Sequence, residues 1–373
     1  MPDNQEARDR SFMGLAVKLA ERGRGRTNPN PVVGAVIVRD DRILSVGYHA
    51  RYGEEHAERN ALQSCAESPK GATMYVTLEP CCHHGRQPPC TDAILEAGIS
   101  RVVIGSDDPN PLVGGQGVRI LRENGVTVET GFMREECDAL NPVFFHYIRT
   151  GQPYGILKYA MTLDGKIATH TGASKWITGE AARRRVHEDR NRYAAIMIGV
   201  GTLLTDNPLL TCRIENGRNP VRVVCDSHLR TPFSSQLVKT ARAVRTILAC
   251  VEVDPEKKSA LEAHGCEVWN FKDRAGRVDL SALMDRLGKE NLDSVIIEGG
   301  AGLQWSALEC GLVQRVQAYI APKLFGGDGA KSPIGGAGVA DPEAAFRLRN
   351  VSMTPLDGDF LVEGDIDGEA FGG

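Results

Sequence analysis

Three side chains of metal-binding type stand out in the first ninety residues. His56-Ala57-Glu58 opens one helical stretch, and Glu79-Pro80-Cys81 continues through Pro88-Pro89-Cys90 into the next. A catalytic zinc takes three protein ligands of the His and Cys type and keeps its fourth position for water, so His56, Cys81 and Cys90 form a complete set. Glu58 is then left free to move protons. Cys82, directly beside Cys81, is the alternative ligand, and the preceding Pro80 favours Cys81. A lone Cys is usually a small buried hydrophobe and a lone His a satisfied polar group. Their joint spacing argues against that reading here.

A chain of 373 residues exceeds a usual single core and implies two domains. The net charge of −4 and pI near 6.2 offer no global attraction for nucleic acid or an anionic membrane, so a small phosphate ester suits the chain better than tRNA. Ten cysteines without framework spacing, no secretory apolar core and no long apolar run predict reduced thiols in a cytoplasmic protein. Nothing in the sequence argues against a homo-oligomer.

Phe12, Leu15, Ala16, Leu19 and Ala20 recur at helical spacing until Gly23-Arg24-Gly25-Arg26. Val32–Val38 and Ile43–Gly47, joined by Arg39-Asp40-Asp41-Arg42, read as a hairpin. Strands at Met74–Leu78, Val102–Ile104 and Val126–Val128 follow, each after a helical stretch, which predicts an α/β three-layer unit. The turn-rich Arg149-Thr150-Gly151-Gln152-Pro153 marks a boundary, with domains expected at 1–149 and 153–373. Beyond it, strands at Tyr154–Tyr159, Ala194–Ile198, Val221–Cys225, Thr246–Ala249 and Ser294–Ile297 alternate with helical stretches. No G-x-G-x-x-G follows an early strand. Gly199-Val200-Gly201-Thr202 and Glu298-Gly299-Gly300-Ala301-Gly302 are instead the turns whose backbone amides can approach phosphates.

Hydrolytic nucleobase deaminases carry an H-x-E…P-C-x-x-C pattern with a non-ligating Glu. Here eight residues, not two, separate Cys81 from Cys90. With that wide spacing, Thr77–Cys90 (TLEPCCHHGRQPPC) resembles the deaminase half of the bifunctional deaminase/reductase family of riboflavin biosynthesis, with Gln87 where the family more often has Thr. The resemblance implies a cytidine-deaminase-like fold, zinc on His56, Cys81 and Cys90, and Glu58 as the catalytic proton carrier. It also raises Asn28 and Arg86 above ordinary loop residues, as contacts to the heterocycle edge and to a phosphate.

In the second half, Lys158 with Ala160-Met161-Thr162-Leu163-Asp164-Gly165-Lys166, then Ser174-Lys175-Trp176-Ile177-Thr178, then Thr202 to Arg213, resembles the reductase half of the same family. Its fold is dihydrofolate-reductase-like. Carried over by position, Ala160, Trp176, Thr202, Asp206, Ser227 and Gly300, Ala301, Gly302, Leu303, Gln304, Trp305 and Ser306 match the NADPH side. Ser174, Arg190, Leu210, Arg213 and Glu298 match the substrate side, with Lys158 near the sugar. Arg190 and Arg213 make sense as a fork around a sugar phosphate. The two resemblances cover nearly the whole chain in the family's order. They imply zinc-dependent hydrolytic deamination of 2,5-diamino-6-(5-phosphoribosylamino)pyrimidin-4(3H)-one, then NADPH-dependent reduction of its ribosyl chain to ribityl.

Overall fold

The apolar run at Gly34–Arg39 can be nearly unbroken because both faces of the sheet it enters are covered. The structure, a computed structural model, describes residues 2–84, 87–110, 113–271 and 276–367. It divides into two units, Met1–Gly151 and Gln152–Gly373.

The first unit runs α1 (Pro2–Ala20), β1 (Gly34–Arg39), β2 (Arg42–Tyr48), α2 (Ala57–Gln63), β3 (Thr73–Leu78), α3 (Cys90–Glu96), β4 (Arg101–Ser106), α4 (Gln116–Glu123), β5 (Thr127–Glu129), α5 (Arg134–Asp138) and α6 (Pro142–Thr150). Its sheet has the order β2-β1-β3-β4-β5, with β1 antiparallel to both neighbours and β3, β4 and β5 parallel. Alternate residues part to opposite faces. Ala35, Ile37, Met74 and Val76 pack with Ala57, Ala61, Ile94 and Leu121 from α2, α3 and α4. Val36, Val38 and Tyr75 pack with Met13, Ala16 and Leu19 from α1. A Cβ on Gly47 would collide with the Ala57 carbonyl and the Ala61 amide, so glycine there lets α2 lie directly on β2. That contact sets the position of the helix that carries Glu58.

α1 is fastened by Asp9, which is 3% exposed and accepts hydrogen bonds from Tyr75 Oη at 2.5 Å and Arg101 Nη2 at 2.6 Å. Burial alone would raise the Asp9 pKa, but the bonds from Arg101 and Tyr75 outweigh it and hold the carboxyl below its ordinary value. A depressed carboxyl contributes stability that is present above its unfolded pKa and lost as pH falls through the folded one. Asp9→Asn is therefore expected to cost about 2 kcal/mol at neutral pH and to flatten the loss of stability below about pH 4. Urea midpoints measured from pH 3 to 7 check both.

The second unit runs β6 (Tyr154–Thr162), α7 (Glu180–Arg192), β7 (Ala195–Gly199), α8 (Val200–Asp206), β8 (Val221–Cys225), α9 (Gln236–Lys239), β9 (Thr246–Cys250), α10 (Pro255–Ala263), β10 (Glu267–Asn270), α11 (Leu280–Lys289), β11 (Ser294–Glu298), α12 (Ala301–Glu309), β12 (Arg315–Ala321), β13 (Leu348–Leu356) and β14 (Asp359–Ile366). The nine strands follow the order β10-β9-β8-β7-β11-β6-β12-β14-β13. All are parallel up to β12, and β14 and β13 close the edge antiparallel. Leu157, Met197, Val223, Ile247, Val295 and Ile297 form one core with Leu283, Leu287 and Leu308 from α11 and α12. The fold is thus mixed α/β in both units. Among the described residues, no helix is long and apolar enough to cross a membrane.

Arg222, fully buried on β8, ties the segment after α8 to the sheet. It donates to the Leu209 carbonyl at 3.2 Å, the Leu237 carbonyl at 3.1 Å, the Val244 carbonyl at 2.9 Å and Thr240 Oγ1 at 2.8 Å. Burial lowers its pKa to about 10, which leaves it charged at neutral pH. Leu210, 3% exposed with φ 53°, sits next to that anchor.

Candidate active sites

In the first unit, His56 is the N-cap of α2 and Cys90 the first residue of α3, while Cys81 follows the end of β3. Their ligand atoms all lie within 4.8 Å of one another. His56 Nδ1 is 3.5 Å from Cys81 Sγ and 3.4 Å from Cys90 Sγ. With Zn–N bonds of about 2.0–2.1 Å and Zn–S bonds of about 2.3 Å, a tetrahedral centre separates N and S by about 3.5 Å. The donor set therefore fits zinc in identity, number and spacing. Hydrogen bonding from Cys90 and His56 pulls the Cys81 thiol down to about 4, so it is already disposed to act as a thiolate. Among the described residues Cys82 joins no such cluster, and burial raises its pKa.

The site opens into a cavity of about 310 Å³, whose wall includes His56, Glu58, Cys81, Asn30, His49 and Asp108. Glu58 is 4% exposed on the first turn of α2, and burial pushes it up to about 7. A bound cation would bring it back towards the carboxylate form. Glu79 does structural work: its carboxylate accepts the Gly115 amide at 3.0 Å and the Val118 amide at 3.2 Å, capping α4. Gln87 donates from Nε2 to the Gly53 carbonyl at 3.3 Å, which ties the segment before Cys90 to the one before His56. Arg86 lies outside the described residues.

Asn28 belongs to a tight turn in which the Asn30 amide donates to the Thr27 carbonyl at 2.8 Å, and the turn lends Pro29, Asn30 and Pro31 to the cavity wall. Asn30 Nδ2 lies 3.2 Å from His49 Nε2, and His49 Nδ1 lies 3.0 Å from the Glu55 carbonyl. Burial lowers the pKa of His49, which favours its neutral form. Asp108, 9% exposed, accepts the Asn110 amide at 2.8 Å, and burial raises it to about 6. Sequence reasoning assigned no chemistry to His49, Asn30 or Asp108. The available signal was the Asp-Pro-Asn-Pro string at 108–111, a turn motif that says nothing about which wall it will face.

In the second unit three of the expected residues, Lys158, Arg190 and Glu298, converge. Glu298 on β11 is the register partner of Lys158 on β6. Lys158 Nζ is 3.8 Å from Glu298 Oε2, and Arg190 Nη2 on α7 donates to the same oxygen at 2.9 Å. Burial would raise the Glu298 pKa, but Arg190 and Lys158 more than offset it and hold the carboxyl near 2. Burial lowers the pKa of Lys158. Arg190 Nη1 also donates to the Thr211 carbonyl at 3.2 Å, whereas Arg213 is exposed. The two arginines thus differ: Arg190 is clamped and Arg213 reaches solvent. Ser174 Oγ lies 3.5 Å from Asp206 Oδ1, at the last residue of α8. Trp176, 64% exposed, carries Arg183 5.0 Å above its ring.

β7 and β11 are parallel neighbours, so the turns that follow them lie side by side. Gly299 and Gly300 have φ of 84° and 82°, and a Cβ on either would meet Thr202 Oγ1, at 3.4 Å and 3.6 Å. This glycine cradle, opening the N-terminus of α12 beside that of α8, fits the diphosphate of NADPH. Ala160 on β6 and Ser227, just past β8, lie toward the same ends of the strands. Within 300–306 the side chains mostly serve packing. Gln304 is 1% exposed and donates to the Lys158 carbonyl at 3.0 Å, Leu303 joins the core, and Trp305 stands edge-on to Phe346. Gly300, Ala301 and Gly302 supply backbone, and Ser306 lies a turn further along α12.

Two family descriptions match the chain. "Cytidine and deoxycytidylate deaminase zinc-binding region" covers residues 6–106 and "RibD C-terminal domain" covers 153–362. Riboflavin biosynthesis protein RibD of Actinobacillus pleuropneumoniae is 54% identical over 355 residues, covering 95% of this chain and 94% of that protein. The Escherichia coli (strain K12) protein of the same name is 42% identical over 337 residues, covering 86% and 89%. A crystal structure of a Thermotoga maritima diaminohydroxyphosphoribosylaminopyrimidine deaminase/5-amino-6-(5-phosphoribosylamino)uracil reductase superposes with a TM-score of 0.84 at 39% identity, covering 97% of this chain and all of that one. Acinetobacter baumannii RibD, form 1, gives 0.87 at 35% identity, covering 97% and 99%. A zinc-type ligand set beside a buried glutamate, and a glycine cradle beside an ion-paired arginine, thus stand in a chain that matches such proteins from end to end: it belongs to the RibD family of bifunctional riboflavin-biosynthesis deaminase/reductases.

Proposed function

We propose that residues 1–149 deaminate 2,5-diamino-6-(5-phosphoribosylamino)pyrimidin-4(3H)-one and that residues 153–373 reduce the ribosyl chain of the product to ribityl with NADPH. The observation that carries the first step is the convergence of His56, Cys81 and Cys90 beside buried Glu58 at one cavity. Those three residues would hold zinc, which would supply Lewis acidity to activate a water beside Glu58. Glu58 takes one proton from the attacking water and hands it to the ring nitrogen, then takes the second from the hydroxyl of the tetrahedral adduct and delivers it to the amino group, so that ammonia leaves as the carbonyl forms and the C–N bond breaks. Burial of Glu58 serves this role, because a proton carrier works best when its pKa lies near the working pH. Asn28 is assigned to the heterocycle edge, within the turn that lends Asn30 to the cavity wall.

For the reduction, NADPH supplies the hydride and the chain supplies positioning. The cofactor side is assigned to Ala160, Trp176, Thr202, Asp206, Ser227 and residues 300–306. The substrate side is assigned to Lys158, Ser174, Arg190, Leu210, Arg213 and Glu298. Glu298 neutralises part of the charge of Lys158 and Arg190 and holds both in place. Exposed Arg213 is then the cation with most freedom to meet the sugar phosphate. Arg213→Ala is expected to raise KM for the deaminated substrate about ten- to a hundredfold, the loss of one charge-assisted contact, with a smaller change in kcat and none in ammonia release. Initial rates of nicotinamide absorbance loss against substrate concentration check it.

A net charge of −4 and ten cysteines without framework spacing support a cytoplasmic enzyme that acts on a small phosphorylated pyrimidine rather than on nucleic acid or membrane. A homo-oligomer is compatible with this reading. Purified protein given the diamino pyrimidine phosphate should release ammonia without NADPH and consume NADPH only afterwards. NADPH consumption without prior ammonia release would reverse the order of steps.

A further inference from the structure

α7 also carries His187, close to the segment that holds Arg213. His187 lies one turn before Arg190 on that helix, and its carbonyl accepts the Cys212 thiol at 3.4 Å, while Arg190 Nη1 donates to the adjoining Thr211 carbonyl at 3.2 Å. α7 and that segment thus lie side by side, and the imidazole of His187 lies close enough to Arg190 and Arg213 to feel the charge of both. Among the described residues, three polar atoms there are buried with no hydrogen-bond partner: His187 Nδ1, Arg190 Nε and Glu298 Oε1. Buried polar atoms without partners are costly; Arg190 Nε can only donate and His187 Nδ1 donates once the ring is protonated, so an anion with several acceptor oxygens would satisfy both.

We propose that His187 is a third ligand of the substrate phosphate in the reductase unit, beside Arg190 and Arg213, and that phosphate binding there is coupled to uptake of a proton by its imidazole. The inference rests on the reading that the two arginines hold the phosphate. The charged and polar groups facing His187 are Arg190 on its own helix, Arg213 and the Thr211 carbonyl from the following segment, and Glu298 from β11. Burial and then the two arginines depress the imidazole pKa, and Glu298 and Thr211 only partly compensate. A dianion set between the arginines offsets their charge and adds its own attraction, so the bound state favours imidazolium. The sign follows: affinity strengthens as pH falls through the bound-state pKa, until the phosphate monoester itself takes a proton near about pH 6.

Calorimetric titration of ribose 5-phosphate into the full-length protein at pH 7.5, in two buffers of different ionisation enthalpy, reads the proton directly. The parent is expected to take up a fraction of a proton per site. H187Q and H187N are expected to take up none and to bind roughly tenfold more weakly, the effect of one hydrogen bond to a charged group. Thermal midpoints of both variants establish that they are folded. No proton exchange in the parent, or unchanged uptake and affinity in folded H187Q and H187N, overturns the proposal. R213A separates the two layers: weaker ribose 5-phosphate binding in R213A with parent-like H187Q removes only His187 from the site. Parent-like binding in R213A removes the phosphate site, and the inference with it.

Discussion

Glu58→Gln is expected to abolish ammonia release, by at least about 10²–10⁴-fold, while zinc content and thermal midpoint stay close to those of the parent. Glutamine keeps the shape and the hydrogen-bonding reach of glutamate but has no carboxylate to accept a proton. Glu58 stands on the first turn of α2, directly after the ligand-bearing N-cap His56, and is 4% exposed, so bulk water has little chance to replace it as proton carrier. The Gly47 contact that seats α2 on β2 is untouched by the substitution. Ammonia release by coupled assay, with elemental analysis on the same preparation, measures both quantities. Near-parent turnover in zinc-loaded protein would place the proton carrier elsewhere in the cavity, and buried Asp108 would be the next residue to replace.

His56→Ala or Cys90→Ser is expected to remove the metal together with deamination, a larger structural effect from an equally small change. Three ligands leave no surplus, and removing one takes both an anchoring bond and the tetrahedral arrangement set by the 3.4 and 3.5 Å separations. Because metal-binding free energy is also folding free energy, the first unit should melt earlier in both variants and in chelator-treated parent protein. Reduction of already deaminated substrate should continue. Stoichiometric zinc in both variants would show that the ion sits on other residues. Cys82→Ser serves as the companion measurement, with zinc retained as the expected outcome, because Cys82 lies outside the ligand cluster.

Local pattern made much of the fold legible. Val221–Cys225, apolar except for Arg222, is strand β8 residue for residue, and Ser294–Ile297 is β11 apart from its last residue, because strands covered on both faces carry mostly apolar side chains. The antiparallel edge was not legible in the same way. β13 is exposed along nearly all of its length and contains Pro355, so it lacks both the apolar run and the alternation that mark a strand. Its pairing with β14 supplies what its own residues do not advertise.

The same division holds at the sites. Residue types and spacing, together with the family resemblance, named the zinc-type donors and the non-ligating glutamate, since thiolate, imidazole and carboxylate chemistry belongs to the side chain wherever it sits. The choice between adjacent Cys81 and Cys82 became geometric only when the end of β3 directed Cys81 Sγ to His56 and Cys90. Lys158, Arg190 and Glu298 were readable as charged residues, but their mutual pairing depends on the β6–β11 register and on the face of α7 turned towards it. Sequence by itself determined which chemistries the chain carries and the rhythm of its elements, both of which are local properties. Tertiary structure alone decided which charges neutralise one another and which cations stay free for a ligand, because those depend on distances between residues far apart in the chain.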